Sequence, residues 1–140
     1  MSDPVIITED HGRVRVITIN RPQALNSMNN AVFAGIRDEL AAAEADNEVA
    51  VAVITGEGRA FSAGQDLQEM QDGLSGEGAG DHQFPAMLKQ RTEFKKPLVA
   101  AVNGLGVGIE MKGCEAHWQR VRGRGLGERF LTTGGFGSKF

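Results

Sequence analysis

An α/β fold is predicted for residues 4–104 by three observations: short β-branched runs, an amphipathic stretch at helical spacing between two of them, and apolar runs without polar alternation. Val5-Ile6-Ile7-Thr8 and Val14-Arg15-Val16-Ile17-Thr18-Ile19 flank the turn-rich Glu9-Asp10-His11-Gly12, a pattern that predicts a hairpin. The second strand ends at Asn20-Arg21-Pro22. From Asn30 to about Ala45 the apolar residues Val32, Phe33, Ile36, Leu40 and Ala43 recur at helical spacing, with Arg37, Asp38, Glu39 and Glu44 left for the solvent side. Asn29 or Asn30 is placed to cap this helix.

Ala50-Val51-Ala52-Val53-Ile54 reads as a strand covered on both faces, and strand, helix, strand implies a parallel pairing. Gly56 to Asp66 reads as a loop holding Phe61, followed by a short helical stretch through Leu67 and Met70. The glycines from Gly73 to Gly80 mark a flexible segment. A second helix is predicted from about Gln83 to Phe94, stopped by Lys95-Lys96-Pro97 before the buried strand Leu98-Val99-Ala100-Ala101-Val102. No sequence repeat at a fixed period is visible, which argues against a solenoid or propeller.

A length of 140 residues suits one domain. No apolar run approaches the roughly 20 residues of a membrane span, and Met1-Ser2-Asp3-Pro4 does not open a secretory signal, so a soluble cytoplasmic protein is expected. The single cysteine, Cys114, agrees with a reducing compartment. Residues 1–110 hold 9 Lys/Arg against 16 Asp/Glu, net −7, while residues 111–140 hold 6 against 2, net +4. Arg120, Arg122, Arg124 and Arg129 are interleaved with glycine, with Trp118 as the stacking ring nearby. An unstructured or weakly structured end is preferred there over a nucleic-acid arm.

Three stretches carry chemistry together: Asn20-Arg21-Pro22-Gln23-Ala24-Leu25-Asn26-Ser27-Met28, Gly58-Arg59-Ala60-Phe61-Ser62-Ala63-Gly64-Gln65-Asp66-Leu67, and Lys96-Pro97 through Asn103-Gly104-Leu105-Gly106-Val107-Gly108. Each borders a predicted buried strand. Ala63-Gly64 offers small side chains, so backbone N–H groups can approach a ligand closely and, in a dry site, stabilise a developing oxyanion. Taken singly, Ser-Ala-Gly is an ordinary surface turn. The glycines of the third stretch do not spell G-x-G-x-x-G, which weakens a dinucleotide-binding reading. Cys114 and His117 have metal-compatible spacing, but two potential ligands do not make a site, and no metal is expected. His11 and His82 lie in polar turns.

The order and separation of the three stretches resemble the crotonase (enoyl-CoA hydratase/isomerase) family over residues 1–110, and residues 111–140 form a basic Gly/Arg-rich tail unlike it. The resemblance implies a crotonase-like ββα spiral, here truncated. It also implies an acyl-CoA thioester substrate of fatty acid metabolism, with coenzyme A part of the substrate and no separate cofactor. The Ala63 N–H is then one oxyanion donor and, without gaps, the Ile109 N–H the second. The backbone around Ala24, Leu25, Ala63, Gly64, Gln65, Asp66 and Leu67 lies against the CoA portion. Family members are usually longer and homo-oligomeric, trimers or hexamers, and the trimer-forming helices belong to the part not matched.

Hydratases of the family use two glutamates. Without gaps the first falls on Lys112 and the second near Thr132; a small deletion brings Glu110 to the first position and a small insertion brings Glu115. Glu110 is therefore read both as a candidate general base and as an ordinary charged residue at a helix start. Two functions are carried forward: an acyl-CoA hydratase or isomerase stabilising an enolate in an oxyanion hole, and a catalytically inactive truncated variant. A nucleic-acid-binding protein using the tail is a third class, and neither nucleic acid nor membrane is the expected partner.

Overall fold

The computed structural model describes residues 3–75, 82–106, 118–122 and 128–132. Its first element is the predicted hairpin, β1 (Ile6–His11) and β2 (Val14–Ile19), paired antiparallel with Ile6 opposite Ile19 and His11 opposite Val14. Glu9, Asp10 and His11 belong to the strand and not to the turn, which is only Gly12-Arg13 with Gly12 at φ +60°. A two-residue turn with a left-handed glycine matches the twist of the strands. The Asp10–Arg15 ion pair, 2.8 Å across the ladder, holds a polar stretch whose β-propensity is low.

Helix α1 (Asn30–Ala45) has the predicted bounds and buries Val32, Phe33, Ile36, Leu40 and Ala43. Of the two candidate caps Asn29 does the work, its side chain accepting from the Val32 N–H at 3.0 Å. Lys96 closes the other end, donating to the Ala43 and Asp46 carbonyls at 2.6 Å each. Strand β3 (Val51–Gly56) then pairs parallel to β2, and β5 (Leu98–Ala100) parallel to β3. The two apolar runs thus share one sheet, in the order β1-β2-β3-β5. Among the described residues, however, only Ala52 and Gly56 of β3 are fully buried, so the run is not covered on both faces as its composition suggested.

Helix α3 (Gln83–Glu93) lies beside α1, and Phe33 meets Phe84 edge to face at 5.2 Å. The main core joins Ile17 and Ile19 of β2, Ala52 of β3, the buried face of α1 and Met87 of α3. A smaller cluster, Phe61, Ala100 and Val102, sits where the chain leaves the sheet.

The segment expected to be a loop around Phe61 contains a strand, β4 (Ala60–Ser62), buried throughout. It pairs parallel with β6 (Leu105–Gly106). Three residues are too few to display a period, and the partner lies more than forty positions away, so nothing local announces it. Helix α2 (Leu67–Leu74) follows, taking in Gly73 and Leu74, while residues 76–80 of the glycine segment lie outside the described residues. Within the basic tail, β7 (Trp118–Arg122) and β8 (Glu128–Thr132) pair antiparallel, where an unstructured or weakly structured end was expected. Among the described residues no helix is long and apolar enough to cross a membrane.

Candidate active site

The first two motifs meet edge to edge. After β2 the chain makes a short 3-10 turn at Pro22–Ala24, then passes through two left-handed residues, Leu25 at φ 50° and Asn26 at φ 55°. A leucine there is uncommon. Its consequence is that the Leu25 carbonyl faces the second motif and accepts the Ala63 N–H at 2.9 Å. Met28 and Gln65 form an isolated parallel bridge: Met28 N–H donates to the Gly64 carbonyl at 2.8 Å, and Asp66 N–H to the Met28 carbonyl at 3.0 Å.

Side chains lock the same seam. Asn26 is fully buried; its amide donates to the Glu57 and Ala60 carbonyls at 2.9 and 2.8 Å, and its oxygen accepts the Arg21 N–H at 2.8 Å. The Arg21 guanidinium donates to the Ser27 carbonyl at 2.6 Å and to the Asp66 carboxylate at 3.1 Å. Asp66 also caps α2 by accepting from the Gln68 and Glu69 N–H groups. Partial burial pulls its pKa upward, but the Glu69 N–H, the Arg21 guanidinium and the Gln68 N–H outweigh that and hold the carboxyl below its usual range.

Backbone donors in this loop divide cleanly. Ala63 N–H goes to Leu25, Gly64 N–H to the buried Ser62 hydroxyl at 3.1 Å, and Asp66 N–H to Met28. Gln65 N–H has no partner among the described residues. The cause is Gly64, at φ +95°, a conformation that only glycine adopts without strain. The Gly64 carbonyl is turned onto Met28, and in a trans peptide the N–H of the next residue points the opposite way. The amide aimed outward is therefore that of Gln65, and not that of Ala63 as expected from sequence. The signal that could have found it is the glycine itself, since a left-handed glycine reverses the peptide that follows it.

The third motif is brought alongside. Asn103 accepts the Gly56 N–H at 3.1 Å and donates to the Gly58 and Ala60 carbonyls at 2.8 and 3.2 Å. At Gly104 a Cβ would collide with the Arg59 carbonyl oxygen, so this close approach requires glycine. Because β4 and β6 run parallel, with Ser62 opposite Gly106, the C-terminal ends of the two strands lie at the same edge of this small sheet. Ile109 and Glu110 lie outside the described residues, as do Lys112, Cys114, Glu115 and His117. Among the predicted binding residues, Ala24 and Leu25 are half-buried, Gly64 is buried, Gln65 and Leu67 are exposed, and Asp66 is held by Arg21. Among the described residues no cluster of three or more His, Cys, Asp or Glu could hold a metal.

Residues 9–115 match the family model described as enoyl-CoA hydratase/isomerase. The chain belongs to the enoyl-CoA hydratase/isomerase family. Among its curated relatives, a 2,3-dehydroadipyl-CoA hydratase of Escherichia coli (strain K12) is 41% identical over 110 residues, which are 79% of this chain and 42% of that protein. A short-chain-enoyl-CoA hydratase of Clostridium acetobutylicum is 38% identical over 112 residues, 79% of this chain and 42% of that one. The crystal structure of enoyl-CoA hydratase EchA8_6 from Mycobacterium marinum superposes with a TM-score of 0.70 at 44% identity, covering 75% of this chain and 51% of that chain. The α/β architecture is thus the crotonase fold of the enoyl-CoA hydratase/isomerase family, and the chain spans about 42% of the length of these curated relatives.

Proposed function

We propose that the protein binds acyl-CoA thioesters and stabilises the enolate that forms when a proton is taken from, or water added beside, the thioester carbonyl. The observation that carries this reading is the Gln65 N–H, without a partner among the described residues and set outward by Gly64 on a loop tied at both ends to protein. A rigid donor of this kind stabilises charge that develops on a carbonyl oxygen without having to reorganise. The parallel pairing of β4 and β6 supports a second donor on the segment after Gly106, which the family resemblance puts at Ile109. Glu110 is the candidate for the group that moves the proton. Ala24, Leu25, Gly64, Gln65, Asp66 and Leu67 border the CoA portion of the substrate. Coenzyme A arrives as part of that substrate, and the reading calls for no other cofactor; the cytoplasm is the compartment that suits it. No observation favours an inactive variant over this reading.

The test compares ligands that differ only at the carbonyl. A thioester such as butyryl-CoA should bind more tightly than S-butyl-CoA, the thioether that lacks the acceptor oxygen. The enolate of acetoacetyl-CoA should bind more tightly than either, because it resembles the charged state. Equal affinity for all three in calorimetric titration would remove the oxyanion role. Hydration of crotonyl-CoA by the same preparation, lost in Glu110→Gln, would assign the proton-moving group.

A further inference from the structure

Asp66-Leu67-Gln68-Glu69 has the spacing of a capping box, in which the glutamate three residues into a helix reaches back to the N–H of the capping residue. In this protein that bond is not made. The Asp66 N–H is already given to the Met28 carbonyl at 3.0 Å, and the Glu69 carboxylate turns away from its own helix to accept the Asn30 N–H, the first amide of α1, at 2.8 Å. Asn30 passes the connection on: its side-chain oxygen accepts the Gln83 N–H, the first amide of α3, at 3.1 Å. The N-termini of α2, α1 and α3 are therefore joined in a line, the first amide of α1 satisfied from α2 and the first amide of α3 satisfied from α1.

The line ends at the site. Residues 28–30 hold residues 64–69 at three successive points: Met28 N–H on Gly64, Met28 carbonyl on Asp66, and Asn30 N–H on Glu69. The first two set the Gly64–Gln65 peptide, and the third stops α2 from swinging about them. Without it α2 has little else to hold it, because it buries no residue and leaves Leu67 and Leu74 exposed at 72% and 87%. We propose that Glu69 is a positioning residue, anchoring α2 to the start of α1 so that the Gln65 N–H keeps one direction. This inference rests on the acyl-CoA reading for its catalytic meaning, although the anchoring itself does not.

The experiment uses the full chain as wild type, Glu69→Ala and Glu69→Gln. The glutamine retains an oxygen that can accept from Asn30 and serves as the rescue. In the ligand-free protein, nitrogen relaxation should show the Gln65 N–H ordered in wild type and Glu69→Gln, with an order parameter of roughly 0.85, and falling below about 0.6 in Glu69→Ala, while amides of β1 and β2 do not change. A Gln65 order parameter in Glu69→Ala equal to wild type overturns the proposal, as does an equal loss of order throughout the chain, which would mark a general loss of stability. A chromophoric enoyl thioester, 4-(dimethylamino)cinnamoyl-CoA, supplies the second readout. Its absorption should move to the red on binding wild type, and Glu69→Ala should lose most of that shift while binding within threefold. If wild type binds without any shift, the oxyanion reading fails on its own, and the relaxation data still decide the role of Glu69.

Discussion

Asn26 shows how one side chain can hold a loop that no regular element supports. Fully buried and left-handed, it satisfies one amide of its own loop, at Arg21, and two carbonyls of the segment around β4, at Glu57 and Ala60. Asparagine suits both demands, since it tolerates the left-handed region and carries donors and an acceptor. Asn26→Ala should destabilise the protein by about 3 kcal/mol, the cost of leaving buried polar groups unpaired, read as a lower urea midpoint. An unchanged midpoint would mean that water takes the place of the amide. Asp66 makes a prediction about pH. Its pKa is lower in the folded chain than the usual value of about 3.9, so its contribution is complete above that value and is lost as pH falls through the folded pKa. Asp66→Asn keeps the cap on α2 but not the ion pair with Arg21. The variant should therefore be less stable than wild type at pH 7 and lose less stability on acidification below about pH 4. Parallel acid-denaturation curves for the two proteins would refute this.

At the scale of elements, α1 is organised by groups outside itself as much as by its own sequence. Its apolar face is plain in the spacing of Val32, Phe33, Ile36, Leu40 and Ala43, and Asn29 caps its start, but Glu69 at its first amide and Lys96 at its last carbonyls come from elsewhere in the chain. The Lys96 ammonium, from the segment before β5, takes two carbonyls at the C-terminus, where a positive charge also complements the helix dipole. Lys96→Met keeps most of the aliphatic stem and removes those bonds. A loss of about 1–2 kcal/mol is expected, a fall of roughly 4–8 °C in Tm by differential scanning calorimetry. A Tm within one degree of wild type would show that water caps the helix equally well.

For the whole molecule the decisive arrangement is the second, smaller sheet. The parallel pair β4 and β6 carries two motifs to a common edge, and Asn103 and Gly104 set how closely they approach. Gly104→Ala places a methyl group against the Arg59 carbonyl oxygen, a backbone atom that cannot rotate away. The four-stranded sheet and its helices make no use of that contact. The far-UV circular dichroism of Gly104→Ala should match wild type, while affinity for butyryl-CoA falls at least roughly tenfold, about 1.4 kcal/mol. Wild-type affinity would show that the spacing of the two loops does not matter to the ligand.

The sequence by itself determined the elements that bury apolar faces and the family to which their connecting motifs belong. The hairpin, α1 and α3 were legible because their patterns span enough residues to separate a helix from a strand, and β3 and β5 because each falls in an unbroken apolar run, Ala50–Ile54 and Leu98–Val102. The motifs of residues 20–28, 58–67 and 96–108 were legible because small and turn-forming residues recur in a specific order. Only the tertiary structure decided which backbone donor of this loop is left without a partner among the described residues. That choice depends on the Leu25 carbonyl taking the Ala63 N–H and the Gly64 carbonyl turning onto Met28, contacts between residues more than thirty positions apart. It decided β4 in the same way, for a three-residue strand becomes a strand only through its partner at Leu105–Gly106. Residue types announce what a segment buries; the direction of a single N–H is set by what its neighbours across the fold have already taken.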